Sequence, residues 1–454
     1  MECAMSQDSR TRRRFIQDTA AAAMGAMAAP YVLTSSALGS TTKPPASERI
    51  ALGHIGVGNR GGGLLHYFLN LADCQCVAVC DPFKSRREAQ AKRINAHYAK
   101  GADTGSYKGC SAYNDFRELV ARDDIDAVVI ATPDHWHVPT ALAAVRSGKD
   151  IYVEKPLGLS VAQNIALRQA VHRYGRIFQY GTQQRSHAHF RHACELVRNG
   201  RIGKLHTIDV WCPSGEKGGS TQPVPPPKDL DYDLWLGPAP VTPYTVDRCQ
   251  ARGAYWISDY ALGFVAGWGA HPLDIALWGS DTENTGPVEY EGRGVFPTEG
   301  LYDTAISWDV HCRYANGLKM RFMSPDVARP ISAKHGLQLG LGTMFVGDKG
   351  WVDVDRSRIY ANPPSVIDEV IGPDEVRLYE SRHHWHNFIS SIKTRSAPVC
   401  TIETAVRSDT ISQLTEIAIR TGRKIRWDPD KEVIIGDEGA SRMLTRAMRS
   451  PWRL

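Results

Sequence analysis

Residues 50–61 read Ile-Ala-Leu-Gly-His-Ile-Gly-Val-Gly-Asn-Arg-Gly, a short apolar run that ends in a cluster of glycines. The apolar run is typical of a buried strand, and residues 62–68 then carry apolar side chains at helical spacing. Gly56, Gly58 and Gly61 allow a tight turn and let the backbone approach a pyrophosphate, which the amides of a helix N-terminus attract. The stretch predicts a strand, a glycine turn and a helix that together bind a dinucleotide.

A carboxylate suited to the adenosine ribose follows this turn. A second apolar strand, predicted at residues 76–80, ends at Asp81, about twenty positions after the turn. Asp81 would accept hydrogen bonds from the ribose hydroxyls and repel a 2′-phosphate, which favours NAD. Lys84, Arg86 and Arg87 lie close behind, so NADP stays open as the alternative.

The alternation of strands and helices continues up to residue 180. The predicted elements are strands at residues 125–132, 150–153 and 177–180 and helices at about 139–147 and 160–174. The first of these strands is almost continuously apolar, which is typical of a parallel strand buried on both faces. Residues 49–180 are therefore predicted to form a doubly wound parallel sheet of the Rossmann type, an α/β fold that binds its ligand at the carboxyl ends of the strands.

A second domain is predicted over residues 181–454. Its sequence contains segments that alternate or are rich in aromatic and β-branched residues, which indicates strands. The predicted elements are strands at residues 306–314, 318–323 and 344–352 and helices at about 385–393 and 402–421. These elements predict an α+β domain with a large, open and mainly antiparallel sheet.

Composition and charge are those of an ordinary soluble globular protein. The chain has 454 residues, 42% of them hydrophobic and 23% charged, and this length favours more than one domain. The net charge of +5 comes largely from arginines near the two ends of the sequence, so nucleic acid is not predicted as a partner. The 10 cysteines include no CxxC pair, and the histidines of residues 383–386 offer only two helical ligands. No metal site is therefore predicted.

The first 48 residues are predicted to be an export signal and a linker. Residues 11–17 read Thr-Arg-Arg-Arg-Phe-Ile-Gln and precede an Ala-rich apolar run, residues 19–33, that is too short to span a membrane. Paired arginines before such a run resemble the twin-arginine signal, with residues 26–28 as a cleavage site and residues 34–48 as a flexible linker. An incidental basic amphipathic N-terminus is the alternative. A twin-arginine signal would place the protein in the periplasm or elsewhere outside the cytoplasm, with a cofactor loaded before export and tightly held.

Further motifs stand at spacings typical of one enzyme family. They are Thr132-Pro133, Glu154-Lys155-Pro156, Gly181-Thr182-Gln183-Gln184-Arg185, Asp233-Leu234-Trp235-Leu236-Gly237-Pro238 and Trp268-Gly269-Ala270-His271-Pro272-Leu273-Asp274. With the glycine turn and Asp81, these motifs make the chain resemble the Gfo/Idh/MocA family of oxidoreductases. The resemblance extends over nearly all of the sequence after the N-terminal segment.

The resemblance implies roles for individual residues. Lys155 would lie beside the nicotinamide and the reacting hydroxyl, and His271 would act as the acid/base. The residues implied in substrate binding are Gln183, Arg185, Asp274 and His271. The family commonly has an acidic residue four positions before the histidine, where this chain has Gly267. The catalytic pair that the family uses is therefore incomplete in this sequence.

The cofactor is expected to contact residues from several strand ends. The predicted set is Gly56, Gly58, Asn59, Arg60, Gly61, Asp81, Thr132, Pro133, His135, His137, Glu154 and Lys155. Two interpretations remain for His135 and His137, which either line the nicotinamide pocket or merely begin the next helix.

The residue types suit the removal of a hydride from a secondary alcohol, which requires a base for the hydroxyl proton. Lys155, partly desolvated beside a positively charged nicotinamide, is expected to have a lowered pKa. His271 titrates near neutrality and can take or relay the proton. The alternative interpretations are a surface lysine before a rigid proline and a core histidine bonded to the backbone.

Three functions remain open at this point. The first is a sugar or polyol dehydrogenase, or a dismutase-like oxidoreductase, that acts on a bound carbohydrate. The second is a glycoside hydrolase that oxidises a ring hydroxyl with NAD, eliminates the aglycone, adds water and returns the hydride. The third, a non-catalytic cofactor-binding protein, is disfavoured because Lys155 and His271 are both present. The resemblance also implies a homo-oligomer, a dimer or a tetramer, formed through the sheet of the second domain.

Overall fold

The computed structural model describes residues 44–100, 107–250 and 252–454. The predicted twin-arginine signal and the first part of the linker lie outside these residues. Just before the fold, Ala46–Glu48 form a single turn of 3-10 helix. No helix in the described part of the chain is long and apolar enough to cross a membrane.

The first sheet contains the glycine turn and the strands around it. Within the described residues it has six parallel strands in the order β3-β2-β1-β4-β5-β6. The strands are β1 (Ile50–Ile55), β2 (Cys74–Cys80), β3 (Ser111–Tyr113), β4 (Ala127–Ile130), β5 (Asp150–Val153) and β6 (Phe178–Tyr180). The strands before β4 are added on one side of β1 and the later strands on the other side. The strand order therefore reverses between β1 and β4, and a ligand crevice forms at such a point. The predicted doubly wound sheet is confirmed.

Five helices connect these strands in the described residues. They are α1 (Asn59–Leu69), α2 (Lys84–Ala99), α3 (Phe116–Val120), α4 (Asp134–Arg146) and α5 (Val161–Tyr174). Helix α4 begins five positions before the start that was predicted from Pro139. That proline lies inside the helix and is not its first residue. Pro133 is the N-cap and Asp134 supplies an acidic first turn, a combination that favours a helix start. This shift brings Asp134 to the end of the crevice.

The second sheet forms the large domain that follows. Its nine strands among the described residues have the order β13-β12-β11-β7-β10-β9-β8-β14-β15. They are β7 (Leu205–Trp211), β8 (Glu289–Val295), β9 (Ser307–Arg313), β10 (Lys319–Met323), β11 (Gly342–Gly347), β12 (Trp351–Val354), β13 (Ile359–Asn362), β14 (Ile425–Asp428) and β15 (Val433–Ile434). Only the β7–β10 pair is parallel among the strand pairings of this sheet in the described residues, which confirms the mainly antiparallel prediction. The strand predicted at 344–352 is a hairpin, because Gly347 and Gly350 bracket a turn between β11 and β12.

Several helices of this domain pack against the second sheet, whereas the helix at residues 384–394 adds Phe388, Ile389 and Ile392 to the core of the first. The helices of the domain are α6 (Ala188–Arg198), α7 (Tyr232–Leu236), α8 (Gly263–Gly267), α9 (Ala270–Ser280), α10 (Pro325–His335), α11 (His384–Thr394), α12 (Ile402–Thr421) and α13 (Glu438–Ser441). Helix α12 is buried along most of its length and packs against α5 of the first sheet as well as α9 and β8. It therefore connects the hydrophobic cores of both halves.

Residues 229–237, the crossing segment, leave the second domain and lie against the first. The backbone N–H of Lys84 donates to the carbonyl of Asp229 at 2.8 Å, and the N–H of Asp231 donates to the carbonyl of Pro82 at 3.1 Å. Backbone hydrogen bonds of this kind fix the segment independently of its side chains. The crossing segment therefore covers the first domain just after β2.

Residues 449–452, the C-terminal clamp, hold the crossing segment from the other side. The Arg449 side chain donates from Nε to the carbonyl of Gly237 at 2.8 Å. The ring of Trp452 packs edge-on against Trp136 in α4, with ring centroids 4.7 Å apart, a geometry that aromatic pairs favour. The clamp thus ties the crossing segment to the first helix behind β4.

Candidate active site

A cavity of about 790 Å³ opens at the carboxyl ends of β1, β2 and β4. This size is typical of a site for a small-molecule ligand or cofactor. Of the residues predicted to border the cofactor, those lining the cavity are Gly56, Gly58, Asn59, Arg60, Asp81, Thr132 and Pro133. The second domain contributes Leu234 and Trp235 of the crossing segment and, farther along the chain, Tyr255 and Tyr260. Gly61, Glu154 and Lys155 are not among the described lining residues, so the cavity coincides with only part of the predicted cofactor set.

Two glycines of the turn leave no room for a side chain. Gly56 has a φ of +78°, and a Cβ atom there would lie 2.6 Å from the backbone nitrogen of Thr132. A Cβ on Gly61 would lie 1.9 Å from the carbonyl oxygen of Gly56. The bare backbone at the start of α1 is the surface that a pyrophosphate needs, so these residues fit a dinucleotide.

Asp81 is buried and held in place by the backbone at the end of β2. Its carboxylate accepts hydrogen bonds from the N–H groups of Val57 at 3.0 Å and Phe83 at 2.9 Å. Burial raises the pKa of Asp81, while these donors and Arg86 oppose the rise. The Arg86 guanidinium lies over the Phe83 ring, 3.8 Å from its centroid. A carboxylate and a cation therefore both lie at the predicted adenosine end of the cavity.

Lys155 follows β5 beside a paired carboxylate. Glu154 forms an ion pair with Arg60, with Oε1 and Nη2 2.7 Å apart, and also accepts a hydrogen bond from Gln183 at 3.2 Å. Burial lowers the pKa of Lys155, while the charges of Glu154 and Asp134 oppose this shift. Since Arg60 already neutralises Glu154, Lys155 is a cation whose proton is more easily lost than that of a surface lysine.

Asp134 is a candidate that the sequence did not single out. It is the first residue of α4, lines the cavity and is buried. Its Oδ2 atom is buried and finds no hydrogen-bond partner among the described residues. Burial raises the pKa of Asp134 to about 8, although the charge of Lys155 opposes the rise. Its position directly after Thr132-Pro133, at a strand end, is the sequence signal that points to it.

His271 lies buried in the first turn of α9. Its Nδ1 atom has no hydrogen-bond partner within residues 44–100, 107–250 and 252–454. Burial, together with the charges of Lys155 and Arg356, holds the pKa of His271 well below its usual value. The imidazole is therefore neutral at physiological pH and can accept a proton only weakly.

Gly267 stands where the family pattern has an acidic residue. A Cβ atom on Gly267 would have Phe264 as its nearest neighbour, at an ordinary contact distance of 3.7 Å. The space for a side chain is thus present, but no carboxylate occupies it. His271 is left without the acidic partner that the family pattern implies.

Arg185 and Asp274, both predicted to bind substrate, contact each other. The guanidinium and carboxylate are buried and form two short hydrogen bonds of 2.8 and 2.7 Å. Arg185 also pairs with Glu283 at 2.6 Å. A buried, bidentate pair of this kind positions the elements that carry it, here the turn after β6 and helix α9, three residues beyond His271.

The two histidines that were considered for the nicotinamide pocket, His135 and His137, lie behind the cavity wall. The Nε2 atom of His135 is 2.9 Å from the carbonyl of Trp235, and His137 lies 2.6 Å from the carbonyl of Pro156. The described lining of the cavity includes neither histidine. His384 is buried and contacts the hydroxyl of Ser186 at 2.9 Å. No group of three side chains suited to a metal ion occurs in the described part of the chain.

Comparison with protein families identifies both halves of the chain. Residues 50–182 match a family described as oxidoreductase family, NAD-binding Rossmann fold. Residues 209–328 and 338–454 match the companion description, oxidoreductase family, C-terminal alpha/beta domain.

Curated relatives match only part of the chain. A glycosyl hydrolase family 109 protein of Shewanella amazonensis is 39% identical over 145 residues, which is 32% of this chain and 30% of the relative. An alpha-N-acetylgalactosaminidase of Shewanella oneidensis is 33% identical over 165 residues, 34% of this chain and 35% of the relative. The matches thus span about a third of these relatives' lengths.

Solved structures share the fold over most of the chain. A putative myo-inositol dehydrogenase from Sinorhizobium meliloti has a TM-score of 0.54 and 20% identity, covering 83% of this chain and 99% of its own. The WlbA dehydrogenase from Bordetella pertussis, solved with NADH and UDP-GlcNAcA, has a TM-score of 0.59 and 14% identity, covering 84% and 99%. At these identities the likeness concerns the fold alone.

Proposed function

Because the chain belongs to the Gfo/Idh/MocA oxidoreductase family, we propose that it transfers a hydride between a secondary hydroxyl of a sugar or polyol and tightly bound NAD. The observation that carries the proposal is that Lys155, directly after β5, and Asp134, which lines the end of the cavity, lie near enough to interact electrostatically. Each modifies the pKa of the other. A base and an acid with opposite shifts are what an alcohol oxidation requires.

Different residues of the chain bind the cofactor and transfer the proton. NAD, when bound, supplies the hydride acceptor, and the glycine turn, Asp81 and Thr132 would hold it. Lys155, whose lowered pKa makes the neutral amine more available, hydrogen-bonds the substrate oxygen in that form and takes its proton at Nζ. Asp134 keeps its own proton at neutral pH and can exchange it with Lys155. His271, neutral and without a carboxylate partner, accepts a hydrogen bond from the substrate.

A second candidate function is an NAD-dependent glycoside hydrolysis by transient oxidation and elimination. The observation that favours it is the similarity of the cofactor half to proteins named glycosyl hydrolase family 109. Elimination needs a base for a C–H proton and an acid for the departing oxygen. Lys155 and Asp134 supply both kinds of group at the carboxyl ends of β5 and β4.

We further propose that the protein is exported by the twin-arginine route and works outside the cytoplasm as a homo-oligomer. The sequence of residues 11–17 supports the route, and the crossing segment supports a cofactor that stays with the protein. On this proposal residues 49–180 bind the cofactor, and residues 181–454 bind the carbohydrate and the neighbouring subunit.

The test uses the full chain purified without added cofactor. Free sugars, polyols and p-nitrophenyl glycosides are supplied in turn, while the absorbance of bound reduced cofactor and the release of nitrophenol are both followed. Reduction by a sugar or polyol without aglycone release supports the dehydrogenase. Aglycone release with no lasting change in redox state supports the hydrolase.

Lys155→Met serves as the control that removes the proposed base. Activity that is the same in this variant would contradict both functions. Absence of both signals, even after NAD is added at saturation, would contradict the proposal as a whole.

A further inference from the structure

Arg356 lies at the tip of the turn between β12 and β13. Asp355 shapes this turn, because its Oδ1 atom accepts hydrogen bonds from the N–H groups of Ser357 at 2.6 Å and Arg358 at 3.0 Å. His189 contacts the carbonyl of Asp355 at 2.9 Å. The turn is therefore fixed at its base, while the Arg356 side chain is exposed.

Two contacts direct Arg356 toward the candidate active site. Its guanidinium lies over Trp268, 4.8 Å from the ring centroid, and the Trp268 ring is itself 5.9 Å from that of His271. When the Gln184 amide is oriented to satisfy both of its atoms, it accepts from Arg356 Nε at 3.2 Å and donates to the His271 carbonyl at 3.1 Å. Arg356 is therefore linked to His271 through Trp268 and Gln184.

Arg356 has no acidic partner in the described portion of the chain. The carboxylate that influences it, Glu154, is already paired with Arg60 at 2.7 Å. Arg356 instead lowers the pKa values of His271 and Lys155, so its positive charge acts on the site without compensation. An exposed guanidinium without an acidic partner is available to an anionic ligand, and such a ligand would reduce the repulsion between Arg356 and Lys155.

The balance of charges at the site is therefore positive. Lys155 and Arg356 are cations, the Arg60–Glu154 pair is neutral, and Asp134, with a pKa of about 8, holds its proton at neutral pH. A neutral sugar would leave this excess unchanged. A substrate with one negative charge would halve this excess, and a planar guanidinium matches a carboxylate best.

We propose that Arg356, stacked on Trp268, binds a carboxylate of the substrate, so that the enzyme prefers an acidic sugar of the uronic acid type over its neutral counterpart. This inference rests on the proposed function, because it names the substrate class of the same site. Trp268 gives the guanidinium a fixed plane in which to bind the carboxylate.

The experiment compares matched substrates that differ only in the charged group. The specificity constant kcat/KM is measured for a hexose and its hexuronate, and for p-nitrophenyl glucoside and glucuronide, with the holoenzyme. We expect the wild type to favour the uronate, mainly through a lower KM. Arg356→Met should reduce the uronate-to-hexose ratio by about tenfold to a hundredfold, the scale of losing a hydrogen bond between charged groups.

Arg358 provides a matched control in the same turn. Its guanidinium lies over Tyr360, 4.2 Å from the ring centroid, and it is as exposed as Arg356. Arg358→Met should leave the uronate-to-hexose ratio unchanged. Arg356→Lys, which keeps the charge but loses the planar fork, should give an intermediate ratio.

Two results would overturn the inference while the proposed function stands. One is a wild type that turns over the hexose as well as the uronate. The other is an Arg356→Met variant that loses both activities equally. If no substrate is turned over, the proposed function fails, and calorimetric titration of glucuronate and glucose into the NAD-loaded protein still decides the inference. Equal binding of the two sugars, or binding that Arg356→Met does not weaken, would refute it.

Discussion

The carboxylate of Asp409 accepts a hydrogen bond from the backbone N–H of Leu157 at 2.8 Å. Asp409 belongs to α12 of the second domain, whereas Leu157 lies two residues after Lys155. The same carboxylate accepts from the hydroxyl of Tyr180 at 2.7 Å and from the N–H of Gly158 at 3.3 Å. The loop that carries Lys155 is therefore held by buried side chains of α12, since Gln413 also donates to the Gly158 carbonyl at 2.9 Å.

We expect Asp409→Asn to lower kcat by about tenfold or more and to lower the free energy of unfolding by about 1–3 kcal/mol. The amide cannot accept from all of these donors, so a buried N–H loses its partner and the Lys155 loop shifts. Turnover, the affinity for NAD and chemical denaturation measure the three effects, and NAD affinity should be retained. Thr410→Val is the control, since the Thr410 hydroxyl bonds only within its own helix, to the Val406 carbonyl at 2.7 Å. Unchanged kcat in Asp409→Asn would show that the loop is positioned without it.

Lys155→Met should reduce turnover by about a hundredfold or more, the scale of losing a positioned acid or base. The variant keeps the approximate bulk of the side chain, so NAD binding should survive. Lys149→Met offers a comparison at the opposite end of β5, because Lys149 is buried and donates to the Arg122 carbonyl at 2.6 Å. That variant is expected to change stability and to leave kcat near the wild-type value. A Lys155→Met enzyme with normal turnover would move attention to Asp134.

The raised pKa of Asp134 predicts a pH dependence of stability. An acid whose pKa rises on folding, here from 3.8 to about 8, binds its proton more tightly in the folded state. Its contribution therefore destabilises the fold progressively as the pH rises between these two values. Asp134→Asn mimics the protonated form and removes this dependence. The Tm of the variant minus that of the wild type should increase from about pH 5 to about pH 8. A difference that stays constant over this range would mean that Asp134 ionises normally.

Asp81→Ala should weaken NAD binding more than NADP binding. The substitution removes the ribose acceptor, but it also removes the charge that repels a 2′-phosphate, and it leaves Arg86 in place nearby. Fluorescence titration of the cofactor-free protein with both dinucleotides gives the ratio of the two Kd values. Asp81→Asn, which keeps one acceptor for the N–H groups of Val57 and Phe83, separates the charge from the support of the turn. A similar loss for both cofactors in both variants would show that Asp81 does not determine the preference.

Local patterns were sufficient for the first domain, because each of its features depends on neighbours in the sequence. The glycine turn, Asp81 and the strand-end position of Lys155 are all of this kind. Asp134 was missed because Pro139 suggested a later start for α4. Arg356 and Asp409 reach the site only through the packing of distant strands and helices, so no spacing in the sequence indicates them. The charged groups of Arg185 and Asp274 could bind either a ligand or each other. Only the structure, in which they form an ion pair, distinguishes these two possibilities.

The C-terminal clamp is synthesised after the residues that line the cavity, and this order affects how the cavity forms. The walls of the crevice come from residues translated early, whereas its cover depends on contacts such as that of Arg449 with Asp233, 216 positions apart. Contacts at such separation form late, because the intervening chain must first be made and folded. We therefore expect the nucleotide crevice to form before the C-terminal clamp fixes the crossing segment beside it.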